Sequence, residues 1–209
     1  MRIPSPAEIR ALHQKYAPTA EAFDLVHSHC ETVWSIAEQL IGASRLAPDA
    51  VPGGGTGAFA GIDPELVRAG CLLHDIGVYR LYDEHGTLDY PNYLRHGLLG
   101  HEILEREGFP EPLRRFCSCH TGVGLTRDDI ARQGLPLPPG DYVAVSTEEK
   151  LVMYADKFHS KSTPPRFVPP EKYAVQVGRF GADKVAAFEA LRATFGDPDL
   201  AALGAVPQG

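Results

Sequence analysis

Helical phase singles out six side chains of the 209-residue chain that could do chemistry: His27, His74, Asp75, His96, His120 and Asp156. In the apolar stripe of Phe23, Val26, Cys30, Val33, Trp34, Ala37, Leu40 and Ile41, His27 falls one past Val26, and His29 reads as lying off the stripe. The run Leu66, Val67, Gly70, Cys71 and Leu73 closes on His74 and Asp75. His96 shares a face with Leu99, Gly100, Ile103 and Leu104, and His101 faces away; His120 follows Leu113, Phe116 and Cys117, and Asp156 follows Val152 by four. A lone inward histidine is ordinary core. An unpaired inward aspartate is costly, so four imidazoles and two carboxylates with no Lys or Arg on the same faces call for a divalent cation.

Such a nitrogen and oxygen donor set suits Fe, Mn, Co, Ni or Zn rather than calcium. Six ligands can serve two ions, the Asp75 carboxylate bridging to one while His74 binds the other. Water held between two such ions is acidified enough to attack at neutral pH while the ions clamp phosphoryl oxygens, so phosphoester hydrolysis is the expected reaction. A competing soft-metal site at Cys117, Cys119 and His120 lacks a second cysteine pair, and Cys30, Cys71 and Cys117 read as small core residues.

Helices must position these groups. Ser5-Pro6, Asp63-Pro64, Thr19 and Ser146-Thr147 mark starts, and Gly or Pro marks the stops. The expected helices cover 6–16, 20–43, 64–75, 92–107, 111–119, 127–133, 147–159, 171–178 and 182–195, and little alternates with period two, so the fold class is all-α. The Gly, Pro and Ala stretch between Arg45 and Ile62 reads as a connector rather than a phosphate cradle, having no Lys-Ser/Thr after it.

Composition bounds the rest. With 44% hydrophobic and 22% charged residues the chain suits one core-bearing domain, and a net charge of −7 disfavours a nucleic-acid partner. The longest apolar run, Leu151 to Ala155, is far short of the roughly 20 residues of a membrane span. The N-terminus shows no apolar leader segment, so a cytoplasmic address is expected, with a homodimer as a possible assembly.

The ordered series His27, LLHDIG, HGLLGHEIL, CHTGVG and YADK resembles the HD-domain superfamily of metal-dependent phosphohydrolases, in its HDIG branch, over about residues 20–160. The resemblance implies a helical HD core with a peripheral N-terminal helix at 6–16 and C-terminal helices at 171–195, all within one domain spanning 1–209. It implies that His27, His74, Asp75 and Asp156 hold a first metal, and that His96 and His120, sharing Asp75, hold a second. Asp75, His96 and His120 are then the candidate catalytic residues, and a nucleotide or other small phosphoester is the substrate. Many relatives carry a phosphate-binding Lys where this chain has Val78, so Arg80, Arg95, Lys157, Lys161 and Arg166 become the candidates for that task. The string Asp89-Tyr90-Pro91 is not a GYP motif, which disfavours cyclic di-GMP as substrate. Superfamily members with the same six ligands include di-iron oxygenases, and a regulatory HD module is the third alternative.

Overall fold

Several helices of this protein begin where a capping side chain meets free amide groups. Ser5 and Glu8 form a capping box ahead of α1 (Pro6–Tyr16), and Asp63 accepts from the amides of Glu65 and Leu66 ahead of α3 (Pro64–Leu73). Ser146 does the same for α7 (Thr147–Asp156). The computed structural model describes residues 1–46, 59 and 61–204, the side chains of 45 and 46 excepted, so most of the expected Gly-rich connector lies outside the described residues.

The remaining elements are α2 (Ala20–Leu46), α4 (His96–Arg106), α5 (Glu111–Ser118), α6 (Arg127–Gln133), β1 (His159–Ser160), β2 (Arg166–Phe167), α8 (Pro170–Val177) and α9 (Ala182–Phe195). Short 3₁₀ segments cover Ile76–Leu81, Tyr90–Arg95 and Gly178–Phe180. The fold is all-α, and among the described residues the one two-stranded sheet is the antiparallel pairing of β1 with β2.

Three expected helices differ at ends that sit at the site. The helix expected over 64–75 stops at Leu73, leaving His74 as its cap and Asp75 at the start of a 3₁₀ segment. The helix expected over 92–107 becomes a 3₁₀ turn and then α4, because Asp89 caps Asn92 and Pro91 sets a tight first turn; His96 is therefore the first residue of α4. The helix expected over 147–159 ends at Asp156, after which His159 and Ser160 hydrogen-bond across to Phe167 and Arg166.

Helix α2 packs on α3 and α7, and α4 lies against α5 and the 76–81 segment. That last contact requires a glycine: a Cβ at Gly77 would stand 2.0 Å from the His96 carbonyl oxygen and 2.2 Å from the Gly100 nitrogen. Gly70 likewise makes room for the Phe116 ring. Buried His13 ties α1 to this core, one ring nitrogen 2.7 Å from the Leu72 carbonyl and the other 2.8 Å from the Tyr79 hydroxyl.

Candidate metal centre

Asp75 is fully buried and its two oxygens face different groups of donors. Oδ2 lies 3.2 Å from His29 Nε2 and 3.4 Å from His74 Nε2, and these two nitrogens lie 3.0 and 3.5 Å from Asp156 Oδ1. Oδ1 lies 3.3 Å from His96 Nε2 and 3.5 Å from His120 Nε2. Two sets of convergent donor atoms thus share one carboxylate: His29, His74, Asp75 and Asp156 on one side, Asp75, His96 and His120 on the other.

The backbone decides which nitrogen each ring presents. A carbonyl oxygen only accepts, so His74 Nδ1–H donates to Cys71, His96 Nδ1–H to Tyr93 and His120 Nδ1–H to Phe116, at 2.7, 2.6 and 3.0 Å. Each Nε2 is then the nitrogen turned toward Asp75. His96 Nε2 and His120 Nε2 stand only 3.0 Å apart, two lone pairs face to face, and the buried Asp75 Oδ1 has no hydrogen-bond partner among the described residues. This arrangement is unfavourable for bare donors and suits a cation lying against all three.

Electrostatics point the same way. Burial pushes His96 down to about 3 and lowers His120, so both are neutral imidazoles at physiological pH. Burial opposes ionisation of Asp75, but Lys161 and His74 hold its carboxyl well below the usual range; Lys157 and His29 do the same for Asp156. Burial also opposes a charge on His74, yet Asp75 and Asp156 draw its pKa well above the ordinary value. Ionised carboxylates beside the neutral imidazoles of His96 and His120 are the protonation states that metal binding requires, and an ion on the other side would displace the His74 Nε2 proton. The residues present therefore fit a divalent transition metal.

Five of the six side chains singled out from the sequence meet here, and His27 does not. His27 stacks on Phe23 with ring centroids 4.9 Å apart, meets the edge of His13, and faces Glu31 at 3.4 Å. The place belongs to His29. At about 100° per residue, Val26, Cys30, Val33 and Ala37 centre the buried stripe of α2, with His29 about 70° to one side and His27 about 90° to the other. The fully buried Ile36, seven residues past His29, marks the His29 side as interior. His101 is held outside by Ser118 and Glu111.

A cavity of about 460 Å³ opens beside Asp156. Lys157, Lys161 and Arg166 line it, together with Lys172, which sequence reasoning missed. Lys161 pairs with Asp75, and Lys157 Nζ donates to the His120 carbonyl at 2.9 Å and to Asp156 Oδ2 at 2.7 Å. Four cations against the single carboxylate of Asp156 give this wall the opposite sign from the chain as a whole. Arg80 and Arg95 are not part of it: Arg80 is exposed and ion-paired to Glu102 at 2.5 Å, and Arg95 is exposed at the end of the 90–95 turn.

A sequence model of the HD domain matches residues 26–161, which takes in every donor of both groups. The chain belongs to the HD domain family. Membership, together with the buried His/Asp cluster, supports a hydrolase of the metal-dependent phosphohydrolase kind. Over 95 residues this HD domain is 43% identical to an uncharacterized protein of Methanocaldococcus jannaschii, covering 46% of this chain and 49% of that one. Over 139 residues it is 34% identical to a tRNA (cytidine(56)-2'-O)-methyltransferase of Picrophilus torridus, covering 66% of this chain and 33% of that one. The chain thus spans about half and about a third of the lengths of these curated relatives. The HD domain of the L. monocytogenes phosphodiesterase PgpH overlays at 17% identity with a TM-score of 0.46, covering 91% of this chain and 96% of that one. The same domain in complex with cyclic-di-AMP overlays at 16% identity with a TM-score of 0.48, covering 92% and 97%. No helix of the described residues is long and apolar enough to cross a membrane.

Proposed function

We propose that this HD domain is a metal-dependent phosphohydrolase that uses two divalent transition-metal ions on a nucleotide or other small phosphoester. The observation that carries the reading is the Asp75 carboxylate, whose two oxygens face separate donor groups. His29, His74, Asp75 and Asp156 would hold one ion, and Asp75, His96 and His120 the other. Ions bound there supply Lewis acidity toward water and phosphoryl oxygens.

The chain's own residues do the rest. Asp75 stays ionised between the two donor groups, and His96 and His120 are kept as neutral donors by burial. Lys161, Arg166 and Lys172 supply the positive wall against which a phosphate group would lie, the task that no residue at position 78 can perform here. Tyr93, whose ring lies under the Lys161 ammonium at 5.9 Å, and Tyr90, stacked beside it at 6.5 Å, give a planar base a surface to lie on. The tRNA methyl transfer named for the Picrophilus torridus relative is not carried over, because a third of that protein corresponds to this chain.

The test is a screen of nucleotides and phosphomonoesters with Mn, Fe or Co added to chelator-stripped protein, under nitrogen and in air. Hydrolysis with Mn in the absence of oxygen is expected. Turnover that requires dioxygen would assign the site to an oxygenase instead, and absence of metal uptake would leave a regulatory module.

A further inference from the structure

The four imidazoles of the two donor groups are not held alike. His74, His96 and His120 donate Nδ1–H to main-chain carbonyls, partners that no side-chain substitution removes. The far nitrogen of His29 alone meets a side chain: its Nδ1 lies 2.7 Å from His159 Nδ1, with ring centroids 5.0 Å apart and planes inclined by 25°. His159 is buried, lines the cavity, and has an Nε2 with no hydrogen-bond partner among the described residues. It follows the last helical donor, Asp156, by three residues and is pinned by the β1–β2 pairing.

Two facing Nδ1 atoms share one proton, and which ring carries it decides what His29 can do. If His159 donated, the His29 proton would sit on Nε2, pointing at Asp75 and Asp156, and that nitrogen could ligate nothing. If His29 donates, its Nε2 presents a lone pair to the two carboxylates, and His159 must carry its own proton on Nε2.

We propose that His159 is a positioning residue of the metal centre, accepting the His29 Nδ1–H so that His29 Nε2 is fixed as a ligand, and holding its own Nε2–H at the cavity wall. The inference rests on the reading of His29 as a metal ligand. Partners of this kind fix the tautomer and plane of a ligating imidazole, and their loss typically costs about 10–100-fold in metal affinity. An imidazole acceptor is replaceable, which makes this the one ligand orientation open to mutation without touching a ligand.

The experiment is calorimetric titration of chelator-stripped protein with Mn²⁺, for wild type, His159→Phe and His159→Asn. His159→Phe fills the space without an acceptor and is expected to weaken the tighter Mn²⁺ site by about 10–100-fold. His159→Asn, whose carbonyl oxygen can accept where Nδ1 does, is expected to restore most of that loss. In parallel, nitrogen-15 NMR of the Zn²⁺-loaded wild type should show His29 protonated at Nδ1 and His159 at Nε2, a readout that stands even if a variant fails to fold. Wild-type affinity in His159→Phe, or a His159 proton on Nδ1, overturns the inference. A wild type that takes up no metal overturns the proposed function itself.

Discussion

At the scale of single residues, Asp75 and His29 carry the account. Among the described residues Asp75 is the only group whose atoms face both donor sets, and His29 stands where the sequence placed His27. Substituting His29→Ala is therefore expected to remove about one of two bound ions, while His27→Ala, on the far side of α2, leaves metal content intact; elemental analysis of both proteins reads the difference. The opposite pattern would return the ligand to His27. His96→Ala removes a donor from the other group, so about half the wild-type metal should remain, and full stoichiometry would reduce the centre to one ion. His74, Asp75, His96, His120 and Asp156 were legible in the sequence because each ends or punctuates an apolar run on one face of a short helix. His29 was not, because α2 is buried over a wide arc. With Phe23 and Trp34 partly buried on one flank and Ile36 buried on the other, the limits of the stripe do not say which flanking histidine faces α3 and α7. His159 escaped notice for another reason: the 147–159 helix pattern hid a chain reversal that only the pairing with β2 reveals.

At the scale of elements, the site depends on the close crossing of the 76–81 segment over the start of α4. Three of the donors, His74, Asp75 and His96, flank that crossing. Gly77→Ala would place a methyl group 2.0 Å from the His96 carbonyl oxygen, so α4 must shift. The expected result is a destabilisation of about 1–3 kcal/mol by urea titration, together with loss of the ion held by His96 and His120. Unchanged stability and full metal content would mean that the crossing has slack the geometry does not show. Capping signals placed four helix starts correctly, since Ser5, Thr19, Asp63 and Ser146 all accept from first-turn amides as their residue types suggest. The ends beside the donors were less legible, because there the backbone leaves regular helix to aim side chains. His74 caps α3 and His96 opens α4, positions set by the tertiary crossing rather than by local propensity.

For the whole molecule, stability should report on the buried histidines as well as on the centre. His13 is neutral when folded, because burial pushes its pKa down to about 4, whereas in the unfolded chain it titrates near 6.5. The unfolded state thus takes up the extra proton as pH falls between these values, and folding stability is lost over that window. Wild-type protein stripped of metal should lose about 3 kcal/mol from this group between about pH 7.5 and pH 4. His13→Gln should be less stable at the higher pH, with the gap narrowing by that amount at the lower; a gap independent of pH would place a charged His13 in the folded state. The chain carries net negative charge, yet it turns a cationic cavity wall toward its carboxylate-bridged donors, a contrast that composition alone could not disclose.

The most direct measurement is a crystal structure of the protein grown with Mn²⁺, read by anomalous difference density. Two peaks flanking Asp75 are expected, one against His29, His74 and Asp156 and the other against His96 and His120. Density beside His27, or no peak within reach of Asp75, would contradict the account.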